Sequence, residues 1–324
     1  MPSNPSNSAM LVDETDLSLD SFQFDPRIGT SLRDRLRDTV DTLVRRPLYK
    51  TIYSKKFAHL PYPIDLVLPE KGMSTLARRQ WVNQHVPIKN SRLLVIGCGD
   101  GWDFGSYLRF NPKEIVGVDL YNFSNCWKQV QTYVQQSGLP TTVKFQQSDI
   151  ADLNPAGMGE FDIICSDAVF EHCRDLEPVL EKLYSLLRPQ GIMYASYGPI
   201  WFSWGGDHFS GRGGLDQGFN HLLLEPTAYQ NYYQTHLRDE AFELQNGGRY
   251  VKLDLFSKLS SQEYIDLYKK VGFQIKSLVV EFSGKTEALS KTPTSIFGQL
   301  LKKFPDLSID DFSIKIHLVL LQKP

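Results

Sequence analysis

Short apolar runs alternate with longer amphipathic segments along the middle of this 324-residue chain. The apolar runs have the length of buried strands, and the segments between them repeat their apolar residues at helical spacing. Such alternation predicts a parallel sheet with helices on both faces and right-handed crossovers. The predicted strands are Leu93–Ile96, Ile115–Asp119, Val143–Gln147, Phe161–Ser166 and Ile192–Tyr197, and the predicted helices are Trp102–Phe110, Asn125–Ser137 and Leu176–Leu187.

The chain before this core divides into two parts. Residues 1–30 are rich in Ser, Asn, Pro and Asp with little periodicity, so we expect a mobile N-terminal segment. Residues 31–90 are expected to form a helical cap, because Ser31–Tyr53 and Ser74–Val86 both show helical spacing. A loop is predicted between these two helices, over Pro61–Pro69.

A glycine turn follows the first predicted strand, where Leu93–Ile96 runs directly into Gly97-Cys98-Gly99-Asp100-Gly101. Glycine permits a sharp turn and leaves no Cβ where a ligand approaches. The helix start that follows offers unpaired N–H groups to an anionic ligand. The next three predicted strands end at acids, namely Asp119, Asp149 and Asp167. We expect these acids to line the crevice beyond the carboxyl ends of the sheet, with Asp119 accepting both hydroxyls of a ribose.

The spacing of the glycines distinguishes between classes of nucleotide-binding motif. A dinucleotide fingerprint requires a third glycine at position 102, which is Trp102, and a P-loop requires Gly-Lys-Ser/Thr after the glycines. The Gly-x-Gly-x-Gly form instead resembles motif I of the class I S-adenosylmethionine-dependent methyltransferases. Further stretches in order resemble the small-molecule branch of that family, which includes bacterial enzymes of natural-product and sugar modification: Ala168–His172, Leu186–Gly191, Ser260–Phe273 and the run from Trp201 to Pro226.

This resemblance covers roughly residues 93–324 and implies the fold. We expect a doubly wound α/β domain over residues 91–324, with a mostly parallel, seven-stranded, Rossmann-like sheet. Its last strands, Phe273–Phe282 and Phe312–Gln322, would add an antiparallel C-terminal strand. The sequence departs from the family at Val95, where an acid is common two residues before the first glycine; Asp100 lies nearby.

The same resemblance implies S-adenosylmethionine as the cofactor. Arg78 and Arg79 on the second predicted helix either clamp the carboxylate of its methionine moiety or are solvated arginines. The helix over Ser31–Tyr53 either closes over the cofactor or only packs on the sheet. The residues expected to bind the cofactor are Gly97, Cys98, Gly99, Gly101, Asp119, Leu120, Asp149, Ile150, Asp167 and Arg79.

An aromatic-rich insertion follows the fifth predicted strand, over residues 199–258. Long connections in compact domains are usually functional, and aromatic side chains with a few polar groups are typical of small-molecule pockets. We therefore expect a substrate lid, although the same aromatics could form only a satellite core. The residues expected to bind substrate are Trp201, Trp204, Phe209, Arg212, Tyr229 and Tyr233.

Methyl transfer to a hydroxyl needs a base, and histidine is the usual one. The candidates are His172, His208 and His221. We expect O-methylation of a small hydroxylated metabolite or sugar; the alternatives are N-methylation of a small amine and a non-catalytic scaffold with the same fold. No metal is expected: the family's Glu-x-x-Glu-His metal site has Ala168 at its first position, which leaves Glu171 and His172 as an incomplete set.

The composition of the chain argues against some classes of binding partner. The chain is 41% apolar and 22% charged with a net charge of −2, which is typical of globular proteins and gives no basic nucleic-acid footprint. We expect no membrane partner and no secretory leader, because no apolar run approaches the ~18 residues of a spanning helix and the N-terminus lacks a basic-then-apolar pattern. Four scattered cysteines without CxxC spacing are expected to stay reduced, as in a cytoplasmic protein. The oligomeric state is left open.

Overall fold

Eight strands form one sheet in the computed structural model, which describes residues 15–27, 32–53, 56–70, 72–236, 255–290 and 296–324. The strands are β1 (Leu66–Pro69), β2 (Arg92–Ile96), β3 (Glu114–Asp119), β4 (Thr142–Gln147), β5 (Phe161–Asp167), β6 (Leu187–Tyr197), β7 (Gln274–Phe282) and β8 (Ile314–Gln322). Their order across the sheet is β1-β7-β8-β6-β5-β2-β3-β4. Strand β8 is antiparallel to both of its neighbours, and the other adjacent pairs are parallel.

This topology confirms the predicted α/β fold with an antiparallel C-terminal strand. The prediction of a loop over Pro61–Pro69 is wrong at its end, because β1 adds an eighth strand there. The three prolines of that stretch led to the prediction of a loop. However, β1 pairs only with β7, so it is an edge strand, where proline is tolerated.

The helices fill both faces of the sheet. In chain order they are α1 (Leu32–Val40), a π-helical turn (Asp41–Arg45), α2 (Arg46–Tyr53), α3 (Thr75–His85), α4 (Phe104–Leu108), α5 (Ser124–Gln136), α6 (Pro155–Met158), α7 (Leu176–Leu186), α8 (Asn220–Leu223), α9 (Pro226–His236), α10 (Ser261–Val271), α11 (Gly284–Ser290), α12 (Ile296–Lys303) and α13 (Ile309–Ser313). Three short 3-10 turns cover Ile150–Asp152, Phe170–His172 and Leu215–Gln217. Helix α4 is shorter than the predicted Trp102–Phe110.

Two apolar cores lie on opposite faces of the sheet, and β2 divides its side chains between them. Leu94 and Ile96 join the first core, whereas Leu93 and Val95 join the second. This alternation follows from the period of two along a strand. Because both faces are covered, the run is apolar throughout, as buried parallel strands are.

The N-terminal segment lies partly on the main domain. Residues 15–27 make a bridge between Asp16 and Asn122, and Phe24 packs edge-on against Tyr133 at 5.3 Å between ring centroids. Residues 15–27 therefore contact the main domain, and residues 1–14 and 28–30 of the segment predicted to be mobile lie outside the described ranges. In the described parts of the chain, no helix has both the length and the apolar character needed to cross a bilayer.

Candidate active site

The glycine turn between β2 and α4 has the backbone that its sequence predicts. Gly97, Gly99 and Gly101 all have positive φ, at +63°, +51° and +81°. A Cβ on Gly97 would lie 2.2 Å from Cγ2 of Val169, so the turn and the segment after β5 are in direct contact. This contact brings the chain beyond Val169 close to the glycine turn.

Asp119, at the end of β3, braces this turn. Its carboxylate accepts a hydrogen bond from the Gly99 amide at 2.7 Å and another from the Tyr121 amide at 2.9 Å. Burial raises the pKa of Asp119, and these two N–H donors favour its charged form. An ionised carboxylate has about four acceptor sites, so acceptor capacity remains for the hydroxyls of a ligand.

A stack of three aromatic rings contacts the glycine turn, and it was not predicted from the sequence. Trp127 donates from its indole Nε1 to the Gly99 carbonyl at 2.7 Å. Its ring stacks on Phe145 at 5.3 Å between centroids, and Phe145 stacks on Phe104 at 4.8 Å. The sequence feature that could have indicated this stack is Trp127, which lies on the buried face of α5, the helix after β3. The stack holds the turn in place before any ligand arrives.

The other predicted cofactor residues lie at or near the strand ends. Leu120, Asp149 and Ile150 are partly exposed beyond β3 and β4, and one carboxylate oxygen of Asp149 accepts from the Ala151 amide at 2.9 Å. Cys98 is buried, and burial raises the pKa of its thiol well above the ordinary value. The Cys98 side chain is therefore a neutral core group at neutral pH.

Arg79 is buried and ion-paired, so it is not the solvated arginine that the sequence left as an alternative. Only 1% of it is exposed, and its Nη2 pairs with Asp103 at 2.7 Å and with Asp167 at 2.6 Å. Among the described residues its buried Nη1 has no hydrogen-bond partner. One N–H-bearing nitrogen of a fixed, permanently charged guanidinium is therefore left for an anionic group. Asp103, which the sequence analysis did not consider, supplies part of this fixation.

Asp167 is equally constrained. Arg78 Nη1 lies 3.2 Å from one of its oxygens, and the Tyr194 hydroxyl donates to the same oxygen at 2.7 Å. Burial alone would raise the pKa of Asp167, but Arg79 and Arg78 hold it below the usual range. Asp167 thus holds Arg78 and Arg79 of α3 at the end of β5, and its role in binding the cofactor stays a prediction.

Three side chains that can carry protons meet beyond the ends of β5 and β6. Donor atoms of Glu171, His172 and His208 all lie within 4.8 Å of one another. The rings of His172 and His208 are 4.8 Å apart between centroids, and Phe256 packs on both at 5.0 and 5.5 Å. Phe256, which the sequence analysis did not single out, closes this cluster on its apolar side.

The proton states of this cluster follow from its burial. Burial lowers the pKa of His172 to about 4, and burial together with His172 lowers that of His208 to about 3, so both imidazoles are neutral at pH 7. Burial raises the pKa of Glu171 to about 8. Within the described ranges, Oε2 of Glu171 and Nε2 of His208 are buried without a hydrogen-bond partner. The cluster can accept a proton at an imidazole.

The third candidate base, His221, occupies a different environment. Its Nε2 hydrogen-bonds the Trp201 carbonyl at 2.8 Å, its side chain has no exposed surface, and Asp207 lies 3.6 Å from Nδ1. Burial lowers its pKa. The structure therefore gives His221 a role inside the insertion and does not bring it to the cluster of His172 and His208.

Most of the aromatics expected to bind substrate are buried in two apolar clusters, one of which the insertion shares with the C-terminal helices. Trp201 and Trp204 belong to a cluster with Phe219, Phe256 and Phe312, and Trp204 donates to the Leu215 carbonyl at 2.8 Å. Phe209, Tyr229 and the partly buried Tyr233 form a second cluster, and Asp207 accepts from the Tyr229 hydroxyl. Arg212 lies over the Phe209 ring at 4.3 Å. This packing is compatible with the satellite-core alternative, and the substrate role of these residues stays a prediction; residues 237–254 of the insertion lie outside the described ranges.

The cluster of Glu171, His172 and His208 also offers a donor set for a divalent metal. One carboxylate and two imidazoles suit zinc and related ions, and His208 supplies a third donor that the sequence analysis did not count. Glu171 must lose its proton before it can bind a metal, and Ala168 stands at the remaining acidic position of the family motif. The geometry therefore permits a metal ion to bind, provided that Glu171 releases its proton.

A cavity of about 620 Å³ lies elsewhere, at the start of β1. It is lined by Lys50 and by residues 57–58 and 60–67. Since β1 is parallel to β2 and β3, its first residue is at the opposite end of the sheet from the glycine turn. We therefore place the candidate active site at the strand ends and not in this cavity.

Comparison with known proteins identifies a domain family over part of the chain. Residues 94–195, from β2 to β6, match the family model described as a methyltransferase domain. Among curated relatives, the ubiquinone biosynthesis O-methyltransferase of Albidiferax ferrireducens is 25% identical over 119 residues, covering 37% of this chain and 46% of the relative. The malonyl-[acyl-carrier protein] O-methyltransferase of Calditerrivibrio nitroreducens is 31% identical over 114 residues, covering 35% and 40%. The chain thus spans less than half the length of these relatives.

Solved structures give lower similarity. Phosphoethanolamine N-methyltransferase 2 of Haemonchus contortus, solved with S-adenosyl-L-methionine, has a TM-score of 0.43 and 18% identity, covering 91% of this chain and 60% of that one. The geranyl diphosphate C-methyltransferase of Streptomyces coelicolor also has a TM-score of 0.43, with 13% identity and coverages of 76% and 78%. Residues 94–195 thus match a methyltransferase domain, and the glycine turn and strand order are those that the sequence resemblance to class I S-adenosylmethionine-dependent methyltransferases implies.

Proposed function

We propose that this protein transfers a methyl group from S-adenosylmethionine to a hydroxyl group of a small molecule. The observation that carries the proposal is the contact between two parts of the site. The glycine turn braced by Asp119 touches Val169, and Val169 leads into the cluster of His172, His208 and Glu171. A nucleotide-binding turn and a pair of neutral imidazoles therefore share the same edge of the sheet.

The residues that would hold the cofactor fit its chemistry. Asp119 offers remaining acceptor sites to ribose hydroxyls, and Asp149 offers a partly exposed carboxylate at the next strand end. Nη1 of Arg79 is a cationic donor for the methionine carboxylate. When bound, the cofactor supplies a methyl group already activated by a sulfonium, so the protein mainly has to align an acceptor and exclude water.

The chain's own residues then complete the reaction. A hydroxyl must lose its proton as it attacks, and the neutral imidazoles of His208 and His172 offer ring nitrogens that can accept it. Burial makes both imidazoles weak bases in the free protein, so the proton would transfer only as methylation makes the hydroxyl more acidic in the transition state. Phe256 packs on both rings and helps to exclude water. The insertion over residues 199–258, which follows β6, supplies His208 at this position. This arrangement favours O-methylation over methylation of an amine, which needs no strong base.

Single replacements separate a base from a structural histidine. His172→Ala and His208→Ala are compared with His221→Ala and with His85→Ala, an exposed control on α3. Turnover is measured with methyl-labelled S-adenosylmethionine and a panel of phenolic and sugar acceptors, and cofactor affinity is measured separately. Replacing the histidine that acts as the base should lower turnover by about 10²–10⁴-fold and leave cofactor affinity unchanged. His221→Ala should lower stability instead, because it removes the bond to the Trp201 carbonyl.

If His172→Ala and His208→Ala both keep near-native turnover, the proposed base is wrong. Methylation of an amine, or alignment without a base, would then replace it. If the wild-type protein binds the cofactor but modifies none of the acceptors with hydroxyl groups and does modify amines, the acceptor class is wrong while the cofactor assignment stands.

A further inference from the structure

A helical segment at the edge of the sheet, residues 32–53, exposes an apolar surface. It comprises α1, the π-helical turn and α2. Its apolar residues recur at spacings of three and four, which keeps them along one stripe. Between 46% and 75% of each of these side chains is exposed: Leu32, Leu36, Val40, Leu43, Val44, Leu48 and Ile52. We call these seven residues the apolar stripe.

The segment is attached to the domain by its other side. Tyr53 packs against Phe282 of β7 at 4.6 Å between ring centroids. Tyr49 packs against the small core around Leu68 of β1. Asp41 is 4% exposed and pairs with Arg37 at 3.7 Å and with Arg45 at 3.0 Å inside the segment itself. The segment therefore contacts the domain through its tyrosines and turns its apolar stripe away. A globular helix normally does the opposite, and a contiguous exposed apolar patch marks an interaction site.

The charge of the segment indicates what the stripe binds. Residues 32–53 contain six Arg or Lys and three Asp, whereas the whole chain carries a net charge of −2. Arg33, Arg37, Arg45 and Lys50 are exposed. A basic amphipathic helix with an exposed apolar face is typical of segments that lie in an anionic membrane surface. A second copy of the chain would instead bring two net-positive faces together, which is unfavourable.

We propose that residues 32–53 bind the surface of an anionic lipid bilayer. The apolar stripe inserts at the boundary between headgroups and acyl chains, and the flanking arginines and lysine contact lipid phosphates. The helix lies in the plane of the surface and does not span the bilayer. The sequence prediction of no membrane partner rested on the length of apolar runs, a criterion that does not detect such a helix. The proposal is independent of the acceptor and of the base.

The test is co-sedimentation of the full chain with vesicles. One set contains phosphatidylcholine alone, and the other contains phosphatidylcholine with about one third phosphatidylglycerol. We expect binding to the anionic vesicles, at least tenfold weaker binding to the neutral ones, and release by 1 M salt. The double variant Leu43→Glu/Leu48→Glu should lose at least tenfold in binding. Both side chains are exposed, so the variant should fold, which far-UV circular dichroism and cofactor affinity would verify.

Ile309→Glu is the matched control, because Ile309 is an apolar residue that is 50% exposed outside the stripe. It should bind vesicles like the wild type. The proposal fails if the wild type does not bind anionic vesicles, if Ile309→Glu weakens binding as much as the double variant, or if binding ignores lipid charge. Sedimentation velocity tests the remaining alternative, that the stripe binds a second copy of the chain. A wild type that is dimeric and does not bind vesicles, together with a double variant that is monomeric, would support that alternative and overturn the proposal.

Discussion

Replacing Asp119 by alanine tests how the glycine turn is held and what it binds. In the free protein, the amides of Gly99 and Tyr121 lose a charged acceptor at 2.7 and 2.9 Å. A hydrogen bond to a charged group contributes about 1.5–3 kcal/mol, and the desolvation that raises the pKa of Asp119 offsets part of the sum. We therefore expect a loss of roughly 2–3 kcal/mol in the free energy of unfolding. For a chain of this size, that loss lowers the melting temperature by about 3–5 °C.

The effect on the cofactor should be larger than the effect on the fold. If the carboxylate also accepts both ribose hydroxyls, its removal costs a further ~3 kcal/mol of binding, which is about 100-fold in Kd. Isothermal titration calorimetry well below the melting temperature measures this directly. Asp152→Ala, an exposed acid just beyond β4, is the control and should bind normally. Unchanged affinity in a folded Asp119→Ala variant would refute the assignment of the ribose site.

The remaining predictions concern the cluster beyond β5. Activity should survive exhaustive treatment with EDTA, because Ala168 interrupts the family's metal motif; loss of activity that a divalent ion restores would assign Glu171, His172 and His208 as ligands. Burial raises the pKa of Glu171 to about 8, so from the ordinary value near 4.3 up to pH 8 the folded chain holds a proton that the unfolded chain has lost. The contribution of Glu171 to stability therefore falls as the pH rises through that window, by roughly 5 kcal/mol in all. Urea unfolding at pH 5.5 and 8.5 should show this slope in the wild type and lose it in Glu171→Gln, with exposed Glu225→Gln as control; equal slopes in wild type and Glu171→Gln would contradict the reasoning.

Buried parallel strands and the glycine turn were predictable because their signals are local. An apolar run such as Leu93–Ile96 specifies a strand covered on both faces, and Gly97 needs a conformation and a closeness of approach that other residues do not tolerate. The short edge strand Leu66–Pro69 was missed because its pairing with β7 is a long-range contact that a proline-rich stretch does not reveal.

The roles of polar and aromatic side chains were harder to predict. Nothing in the sequence around Arg79 shows that Asp103 and Asp167 take up most of its hydrogen-bonding capacity. The insertion's aromatics, such as Trp204, could form either a pocket or a core, and only the packing distinguishes the two. His208 was predicted as a candidate base, but its meeting with His172 depends on how the insertion folds back over the sheet.

The most direct test of the central claim is a calorimetric titration of the purified wild-type chain with S-adenosylmethionine, with NAD titrated in parallel. The glycine turn with Trp102 in place of a third glycine, braced by Asp119, predicts one saturable site for S-adenosylmethionine and no binding of NAD. No detectable binding of S-adenosylmethionine to the folded chain, or saturable binding of NAD in its place, would contradict the account.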